Sequence, residues 1–453
     1  MSARNRELFA LIPVALLVSA GFAAVFAVRS DEIGTLSLTY GGYFLAICVA
    51  THLFLRVALK NADPYLFPLC AVLAAVGLVM LYRIEESLAV EQATVFLVGL
   101  AAFAATIVFF RDYHVLERYR YLIALASIGL LLAPRLPGIG STVNGAYLAV
   151  DLGSLSFQTA ELAKIGVVIF LASYLNETRE LLSTAARRVM GLTIPPLKHF
   201  GPLLVVWGAA MVMLVFIRDL GSSLMFFGAF LALVYVATNR FSYVLVGLVM
   251  FLAGAWFFAG TVGHVQDRVD IWIDPFARDA PDGAGQITSA LFAQSEGGLF
   301  GQGLGESLLK LPGPFAPSRE ACDGEAFPFC GSILPEPHTD FIFAVIVSEL
   351  GLFGACGLIA IYALIGARGF KTAVMAPDGF SKLLATGLTA VFCFQAFVII
   401  GGVVKLIPLT GVTLPFISYG GSSIVANMIL LALLLLVSDK ARRGPGQGGV
   451  AAP

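Results

Sequence analysis

The chain has 453 residues, of which 58% are hydrophobic and only 13% are charged. An ordinary soluble domain carries about 25% charged residues, so this composition excludes a soluble globular protein and indicates a polytopic membrane protein. The net charge of −1 gives no reason to expect a nucleic-acid partner.

Apolar segments of membrane-spanning length recur along the whole chain. A bilayer core needs about 20 apolar residues per helix, and about twelve segments meet that length. They cover approximately residues 8–28, 38–59, 65–82, 90–110, 118–134, 157–176, 200–217, 219–237, 241–262, 341–365, 383–404 and 421–438. We therefore predict an all-α, polytopic helical membrane protein. The first apolar stretch is too long for a typical signal peptide, and we expect it to be retained.

The basic residues are unevenly shared between the predicted loops. With the N-terminus inside, 18 of the 28 basic residues fall in cytoplasmic segments. These residues are Arg4, Arg6, Arg56, Lys60, Arg111, Arg118, Arg120, Arg179, Arg187, Arg188, Lys198, Arg240, Arg368, Lys371, Lys382, Lys440, Arg442 and Arg443. The positive-inside rule then places both termini in the cytoplasm and the longest connection, residues 263–338, on the outside.

The first two predicted helices form an accessory hairpin over residues 1–61. We identify no chemistry in this hairpin and expect no charge within its membrane segments. A new unit begins near Asp63, so we expect a core over residues 62–438 and a short cytoplasmic tail over residues 439–453.

Two segments in the middle of the chain place charges close to the membrane. Glu161 and Lys164 are three residues apart and share a helix face. They are either a structural ion pair or part of a substrate site. Asp219 follows Arg218 in a tight external turn, where it either caps the next helix or points into a cavity.

The long external loop contains three features of interest. Cys322 and Cys330 face an oxidising compartment and are expected to form a disulfide, with two free thiols as the alternative. GGLFGQGLG, residues 297–305, has the spacing of a phosphate-binding loop, but without a preceding strand its glycines favour a tight path near the membrane surface. Arg268 is placed either to meet an anionic head group or on the solvated surface. The remaining cysteines, in the predicted spans, are expected to pack inertly.

The loop ends in PEPHTDFIFAVIVSELGL, residues 335–352, in which His338, Thr339 and Asp340 run directly into an apolar segment. We predict Thr339 as the N-cap and place Asp340 in the first helical turn, where the dipole favours the ionised carboxylate. Because ionisable groups at membrane depth are costly, Asp340 is a candidate functional residue, with an ordinary first-turn acid as the alternative.

The last feature is GGVVKLIPLTGVTLPFISYGGSS, residues 401–423, between the final two spans. Its prolines and Gly411 interrupt helix, and such backbone is tolerated at membrane depth only where protein or a water-filled cavity satisfies it. We predict an external re-entrant loop that lines a polar cavity, with Lys405 at its boundary. A plain loop above the membrane is the alternative.

Five segments in this order resemble one family. PEPHTDFIFAVIVSELGL, GGLFGQGLG, FQTAELAK, DLGSS and IPLTGVTLPFISYGGSS are similar to motifs of the SEDS (shape, elongation, division and sporulation) family, which includes RodA and FtsW. The resemblance covers approximately residues 63–438 and is more RodA-like. It implies a ten-helix core, extended here by the N-terminal hairpin. It also implies a membrane glycosyltransferase that polymerises lipid II into peptidoglycan strands on the outer face of the bacterial cytoplasmic membrane, with a class B penicillin-binding transpeptidase as partner.

The resemblance also assigns roles to single residues. Asp340 matches the catalytic aspartate of the family. The expected substrate-binding residues are Glu161, Lys164, Asp219, Arg268, His338, Thr339, Lys405, Ser418 and Ser422. The chain departs from the family pattern at Thr159-Ala160, Ala149 and Ile399, which weakens detailed assignments on that side of the cavity.

The chemistry of such a transfer needs a base and a group that neutralises the leaving pyrophosphate. Asp340 would supply the base. A divalent cation such as Mg or Mn bound at Asp340, or one of Arg268, Lys310 and Lys405, would meet the pyrophosphate. A lipid II flippase and a scaffold for other envelope enzymes are the alternative functions. Membrane lipids would surround the helices in every case.

Overall fold

A computed structural model describes residues 3–29, 35–137, 140–143, 146–152, 155–184, 187–189, 192–194, 219–277, 284–307, 334 and 336–443. The helices are α1 (Ala3–Arg29), α2 (Thr35–Ala58), α3 (Leu66–Ile84), α4 (Glu86–Phe109), α5 (Val115–Arg118), α6 (Arg120–Leu132), α7 (Thr159–Thr184), α8 (Leu220–Thr238), α9 (Phe241–Ala259), α10 (Gly263–Ile273), α11 (Ala284–Gly297), α12 (Ile342–Met375), α13 (Gly379–Val403) and α14 (Gly421–Ala441). A 3-10 turn, Ala133–Arg135, follows α6.

Two small antiparallel sheets lie in the connections before and after α7. The first has the strand order β1-β2-β3 and consists of β1 (Gly140–Val143), β2 (Ala146–Leu152) and β3 (Leu155–Gln158). The second pairs β4 (Arg187–Val189) with β5 (Leu192–Ile194). These strands were not predicted, and they belong to loops of a protein that is otherwise helical.

Ten of the described helices are long and apolar enough to cross a membrane. They correspond to ten of the predicted spans, and the predicted polytopic helical membrane protein is confirmed. The predicted span at 118–134 corresponds to α6 and the 3-10 turn that follows it, and this helix of 13 residues is shorter than the other ten. The predicted span at 200–217 lies outside the described residues.

The centre of the bundle is formed by α13 and α14, which are buried over most of their length. Their sequences are apolar on all sides, as expected for helices surrounded by other helices. By contrast, α9 buries few of its side chains and presents Trp256 and Phe257 outward, where lipid would contact them. This arrangement places the last two helices, and the loop between them, at the core of the protein.

The N-terminal hairpin packs on α3 and carries a buried polar cluster. Arg4 pairs with Glu7 at 2.5 Å, and the His52 ring lies 2.8 Å from the same carboxylate. Arg4 also donates to the Ala62 carbonyl oxygen at 2.5 Å. All three side chains are buried, and Arg4 and Glu7 precede the predicted membrane segment at 8–28, so the expectation of no charge within the hairpin's membrane segments stays a prediction. A buried carboxylate needs such partners because an unpaired one is costly.

Asp63 connects the start of α3 to the C-terminal ends of two later helices. Its buried carboxylate pairs with Arg368 of α12 at 2.8 Å and with Arg442 just after α14. Its backbone N–H donates to Ser438 Oγ at 3.0 Å. Asp63, near which the sequence predicted a unit boundary, therefore holds α3, α12 and the end of α14 together.

The long connection predicted over residues 263–338 contains the helices α10 and α11, although no secondary structure was expected there. Residues 308–333, which include Lys310 and the Cys322–Cys330 pair, lie outside the described residues, so the disulfide stays a prediction. Of the other cysteines, Cys48 and Cys70 are buried, as expected for packing, whereas Cys356 faces outward.

Candidate active site

Asp340 lies in the turn that precedes α12, not in the helix itself. The helix begins at Ile342 with Phe341 as its N-cap residue. Thr339 was predicted to be the N-cap of this helix. Its hydroxyl instead donates to the Glu336 carboxylate at 3.3 Å. The carboxylate of Asp340 therefore lies just outside the apolar helix, two residues before its first turn.

The surroundings of Asp340 shift its carboxyl towards the protonated form. Burial and the charge of Glu336 raise its pKa, Arg268 acts in the opposite direction, and the pKa is raised to about 6. The prediction that a helix dipole would favour ionisation is therefore wrong, because desolvation has the larger effect. The side chain is still partly exposed, so it is accessible to a reacting group.

The predicted re-entrant loop follows α13 and is buried. Leu414, Phe416 and Ile417 are almost inaccessible, and a Cβ on Gly77 in the middle of α3 would lie 2.8 Å from the Ile417 backbone. The Tyr362 hydroxyl, in α12, donates to the Pro415 carbonyl oxygen at 2.7 Å. The loop thus enters the bundle, and these contacts satisfy its irregular backbone.

The re-entrant loop meets the Asp340 turn directly. The Ser418 hydroxyl donates to the Thr339 carbonyl oxygen at 2.7 Å and accepts from the Leu414 backbone N–H at 2.9 Å. Gly411 has a φ of +71°, and a Cβ on it would lie 3.8 Å from Asp340 Oδ2. Ser418 therefore fixes the position of the turn, and Gly411 lies next to the carboxylate in a backbone conformation that favours glycine.

His338 and Tyr419 extend this junction. The Tyr419 backbone N–H donates to the His338 carbonyl oxygen at 2.8 Å, and the two rings meet edge to face at 5.7 Å. The Tyr419 hydroxyl donates to Glu91 of α4. His338 and Thr339 therefore contribute backbone contacts that hold the turn.

Arg268 of α10 lies beside the same loop. Its Nη1 donates to the Leu409 carbonyl oxygen at 2.5 Å. Its charge also acts on both Asp219 and Asp340. Arg268 is thus a cation between two carboxyl groups, which supports the predicted role at an anionic head group over that of a solvated surface arginine.

Lys405 contacts the end of α10 through its side chain and its backbone. Its Nζ donates to the Ile273 carbonyl oxygen at 3.2 Å, and its own carbonyl oxygen accepts from the Trp272 indole at 3.1 Å. Both partners lie at the end of α10. Lys405 therefore fastens α10 to the start of the re-entrant loop.

Glu161 and Lys164 form the centre of a buried polar network. Lys164 Nζ donates to Glu161 at 2.5 Å, to Gln395 at 2.7 Å and to Asn427 at 3.2 Å. The Gln395 amide in turn donates to Glu161 at 3.1 Å and to the Thr413 carbonyl oxygen at 2.9 Å. An ammonium group has three protons to donate, and these contacts use all of them. The network ties α7, α13 and α14 to the re-entrant loop.

Two further predicted residues lie at helix N-termini. Asp219 is the N-cap of α8 and accepts from the Ser222 backbone N–H at 2.9 Å, which confirms one of its two predicted roles. Ser422 is in the first turn of α14, and its hydroxyl accepts from the Gln158 backbone N–H at 2.9 Å. Ser422 therefore joins the end of β3 to the last helix.

The glycine-rich loop does not bind phosphate in the manner of a nucleotide site. Its Gln302 and Gly303 N–H groups donate to the Ser348 and Glu349 carbonyl oxygens of α12 at 2.9 and 3.0 Å. The Gly305 N–H is bound to the Glu349 carboxylate at 3.1 Å. These groups are already engaged, and the tight path favoured from sequence is confirmed.

Sequence reasoning missed Gln395, Asn427 and Glu349. Gln395 and Asn427 are polar side chains within apolar spans. This sequence signal is weak, because an amide carries no charge. Glu349 offered a stronger signal, since it is an acid eight residues into an apolar helix.

The described residues do not form a protein-only cation site. Among them, no three His, Cys, Asp or Glu side chains are grouped closely enough to hold a metal ion. Asp340 and its neighbour Glu336 are the acids nearest the expected chemistry. This donor set fits a cation that takes most of its ligands from a bound phosphate, as Mg commonly does.

The fold and this site define a polytopic membrane protein with an accessible acid at the mouth of a helical bundle. The chain belongs to the FtsW/RodA/SpoVE family of cell cycle proteins, which it matches over residues 25–317 and 329–443. The match begins within α1, so it extends further towards the N-terminus than the five motifs do.

Relatives and solved structures agree with this membership. Peptidoglycan glycosyltransferase RodA of Mycobacterium tuberculosis is 38% identical and aligns over 97% of this chain and 91% of that protein. Probable peptidoglycan glycosyltransferase FtsW of Geobacter metallireducens is 30% identical over 87% of this chain and 100% of that protein. A chain in a solved peptidoglycan synthase complex is 27% identical with a TM-score of 0.64, covering 84% of this chain and 98% of that one. RodA of Thermus thermophilus is 26% identical with a TM-score of 0.57, over 84% and 98% of the two chains.

Proposed function

We propose that this protein is a peptidoglycan glycosyltransferase that polymerises lipid II into glycan strands, with Asp340 as the general base. The observation that carries the proposal is the position of Asp340. The carboxyl group is partly exposed at the outer mouth of the bundle, it has a pKa of about 6, and it lies beside Gly411 of the re-entrant loop. The names of the relatives support the same activity.

The reaction needs a proton acceptor in the place that Asp340 occupies. A hydroxyl of the acceptor sugar attacks the anomeric carbon of the donor sugar, and its proton passes to the Asp340 carboxylate. The new oxygen–carbon bond forms as the bond to the polyprenyl pyrophosphate breaks, and the pyrophosphate leaves with the electron pair. A base whose pKa lies close to the working pH is more effective than an ordinary aspartate, because it binds the proton more strongly while still being mostly ionised.

The departing pyrophosphate requires positive charge. Arg268 is a cation whose charge lowers the pKa of Asp340, and its hydrogen bond to Leu409 holds the guanidinium on the loop side of the site. A divalent cation, Mg or Mn, would be held jointly by the Asp340 carboxylate and the phosphate oxygens, where it would neutralise the leaving group. Lys405 acts at a distance, by holding α10 and therefore Arg268 in place.

The orientation in the bacterial cytoplasmic membrane follows from the ends of the bundle. Arg4, Arg368, Arg442 and Lys440 gather at the end opposite to Asp340. Under the positive-inside rule, this cluster supports an orientation with both termini in the cytoplasm and Asp340 on the outer face, where lipid II is consumed. The partner we propose is a class B penicillin-binding transpeptidase, because the solved chain of similar fold belongs to a peptidoglycan synthase complex.

A detergent assay separates this function from the alternatives. Purified protein supplied with lipid II is expected to lengthen glycan strands without any sealed bilayer. A flippase would instead move lipid II across sealed vesicles and make no polymer in detergent, and a scaffold would do neither. Either of these two results would overturn the proposed function.

A further inference from the structure

The helix α12 is broken inside its outer third. Gly351 has φ +65° and ψ −167°, which no helical residue adopts. The break divides α12 into an outer segment, residues 342–350, and a long inner segment, residues 352–375. The outer segment is almost completely buried, and Asp340 is attached to its N-terminus.

The backbone groups released by the break are taken up by the glycine-rich loop. In an unbroken helix, the Ser348 and Glu349 carbonyl oxygens would accept from the N–H groups of Leu352 and Phe353. Here they accept from Gln302 and Gly303 instead, at 2.9 and 3.0 Å.

The released N–H groups are satisfied in the same exchange. The Leu352 and Phe353 N–H groups donate to the carbonyl oxygens of Gly298 and Leu299 at 3.0 and 3.2 Å. The contact requires glycine on both sides, since a Cβ on Gly301 would lie 2.1 Å from the Glu349 carbonyl oxygen.

Glu349 closes this junction with its side chain. Its buried carboxylate accepts from the Gly305 N–H at 3.1 Å, from the Ser307 hydroxyl at 2.6 Å and from Arg83 Nε at 3.0 Å. Arg83, at the end of α3, also donates to the Ser307 carbonyl oxygen at 2.8 Å. The carboxylate therefore binds the loop, the broken helix and α3 at one point.

We propose that Glu349, held by Arg83, is a positioning residue for the transfer reaction. It fixes the outer segment of α12 against the glycine-rich loop, and through that segment it fixes Asp340. The inference rests on the proposed function, because it concerns the geometry of that same reaction. Catalytic groups displaced by as little as about 1 Å lose roughly 10²-fold in rate.

The test uses Glu349→Gln with Glu296→Gln as its matched control. In Glu349→Gln an amide NH2 group replaces one carboxylate oxygen. This group is a donor, so it cannot accept the hydrogen bond from the Gly305 N–H, or those from the Ser307 hydroxyl and Arg83. The variant therefore loses hydrogen bonding at the junction while the volume of the side chain changes little. Glu296 is an exposed glutamate at the end of α11, whose side chain the junction does not use. Both variants are assayed for lipid II polymerisation in detergent at several lipid II concentrations.

The expected result is a split between kcat and KM. Glu349→Gln should lower kcat at least tenfold and leave KM within about threefold, because substrate contacts are not removed. Glu349→Asp, which keeps the carboxylate, should restore part of the rate, and Glu296→Gln should match the wild type. Equal kcat in Glu349→Gln and the wild type would overturn the proposal, as would a loss confined to KM.

A second variant covers the case in which Glu349→Gln does not fold. Arg83→Lys keeps the positive charge. The arginine uses two nitrogen atoms to bond to Glu349 and Ser307, whereas the lysine has a single ammonium group for both. It should lower kcat by a smaller factor in the same direction, and an unchanged kcat would overturn the proposal. A wild type that makes no polymer would instead disprove the proposed function, so the two failures are distinguishable.

Discussion

Asp340 acquires its acid–base character from the turn in which it lies. The turn is held by Ser418 and closed on one side by the re-entrant loop, so the carboxyl loses much of its hydration while it keeps access to the outside. Glu336 adds a like charge and Arg268 a compensating one. A residue in the first turn of a helix would have been ionised at a lower pH.

The first prediction concerns the pH dependence of the rate. Because the proposed base must be ionised, the rate of lipid II polymerisation should fall as the pH drops through about 6, the pKa of Asp340, by about tenfold per unit below it. An ordinary aspartate would titrate near 4. Initial rates measured from pH 4.5 to 8 test this, and a rate that stays flat down to about pH 4.5 would contradict the raised pKa.

The second prediction concerns the buried network around Lys164. Removing one partner of a buried ion pair typically costs about 3–5 kcal/mol. Lys164→Ala should therefore lower the melting temperature and reduce the polymerisation rate to an intermediate level, because Glu161, Gln395 and Asn427 lose their shared donor. Glu161→Gln should have a smaller effect.

The double variant Glu161→Gln/Lys164→Met serves as the control for Lys164→Ala. It leaves no buried charge unpaired and should recover part of the lost stability. A Lys164→Ala protein with wild-type melting and no activity would show that Lys164 takes part in the chemistry itself.

At the scale of elements, the two irregular segments of the outer face share one physical rule. The re-entrant loop and the break at Gly351 both expose backbone groups at membrane depth, and both find their partners within the protein. The sequence indicated the first segment through its prolines and Gly411. The sequence did not indicate the break at Gly351, because a single glycine in an apolar stretch is compatible with a continuous helix. The break is evident only from the contacts with the glycine-rich loop.

The third prediction concerns the N-terminal hairpin. The cluster of Arg4, Glu7 and His52 and the ring contact of Phe22 with Tyr82 join the hairpin to α3. Deletion of residues 1–61 should uncover α3 and lower the melting temperature and the yield. The polymerisation rate per folded molecule should change little, because the described contacts that hold the Asp340 turn come from the re-entrant loop and not from the hairpin.

The matched variant for this deletion is Glu7→Gln, which weakens the cluster without removing a helix. It should show a smaller loss of stability and a wild-type rate. A deleted protein that is well folded and inactive would mean that the hairpin contributes to the reaction.

At the scale of the whole molecule, composition and apolar periodicity predicted the class and ten spans correctly. The same signals indicated the apolar segment at 118–134, where the structure has α6, but not that the short helix α5 precedes it with a break at Tyr119. They also gave no indication of the ion pairs of Asp63 with Arg368 and Arg442, which join parts of the chain that are about 300 residues or more apart. Such contacts depend on which helices become neighbours, and one sequence does not specify that by local pattern.

The members of the candidate site were proposed from sequence, and their roles in catalysis and substrate binding stay predictions. Motif resemblance identified Asp340 and the residues around it. The division between Arg268, which faces the carboxyl groups, and Lys405 and Lys164, which hold the scaffold, depends on side-chain contacts between distant segments. Distances along the chain carry no information on those contacts.

The most direct test of the account is the polymerisation rate of Asp340→Asn. Asparagine preserves the size of the side chain but accepts no proton at neutral pH, so the rate should fall about 10²–10⁴-fold. A carboxyl group with a raised pKa loses stability as the pH rises through about 6, so the neutral amide should melt at or above the wild-type temperature at pH 7.5. We predict a folded protein that still binds lipid II and makes no glycan polymer. An Asp340→Asn protein that polymerises lipid II at a rate close to that of the wild type would contradict the account.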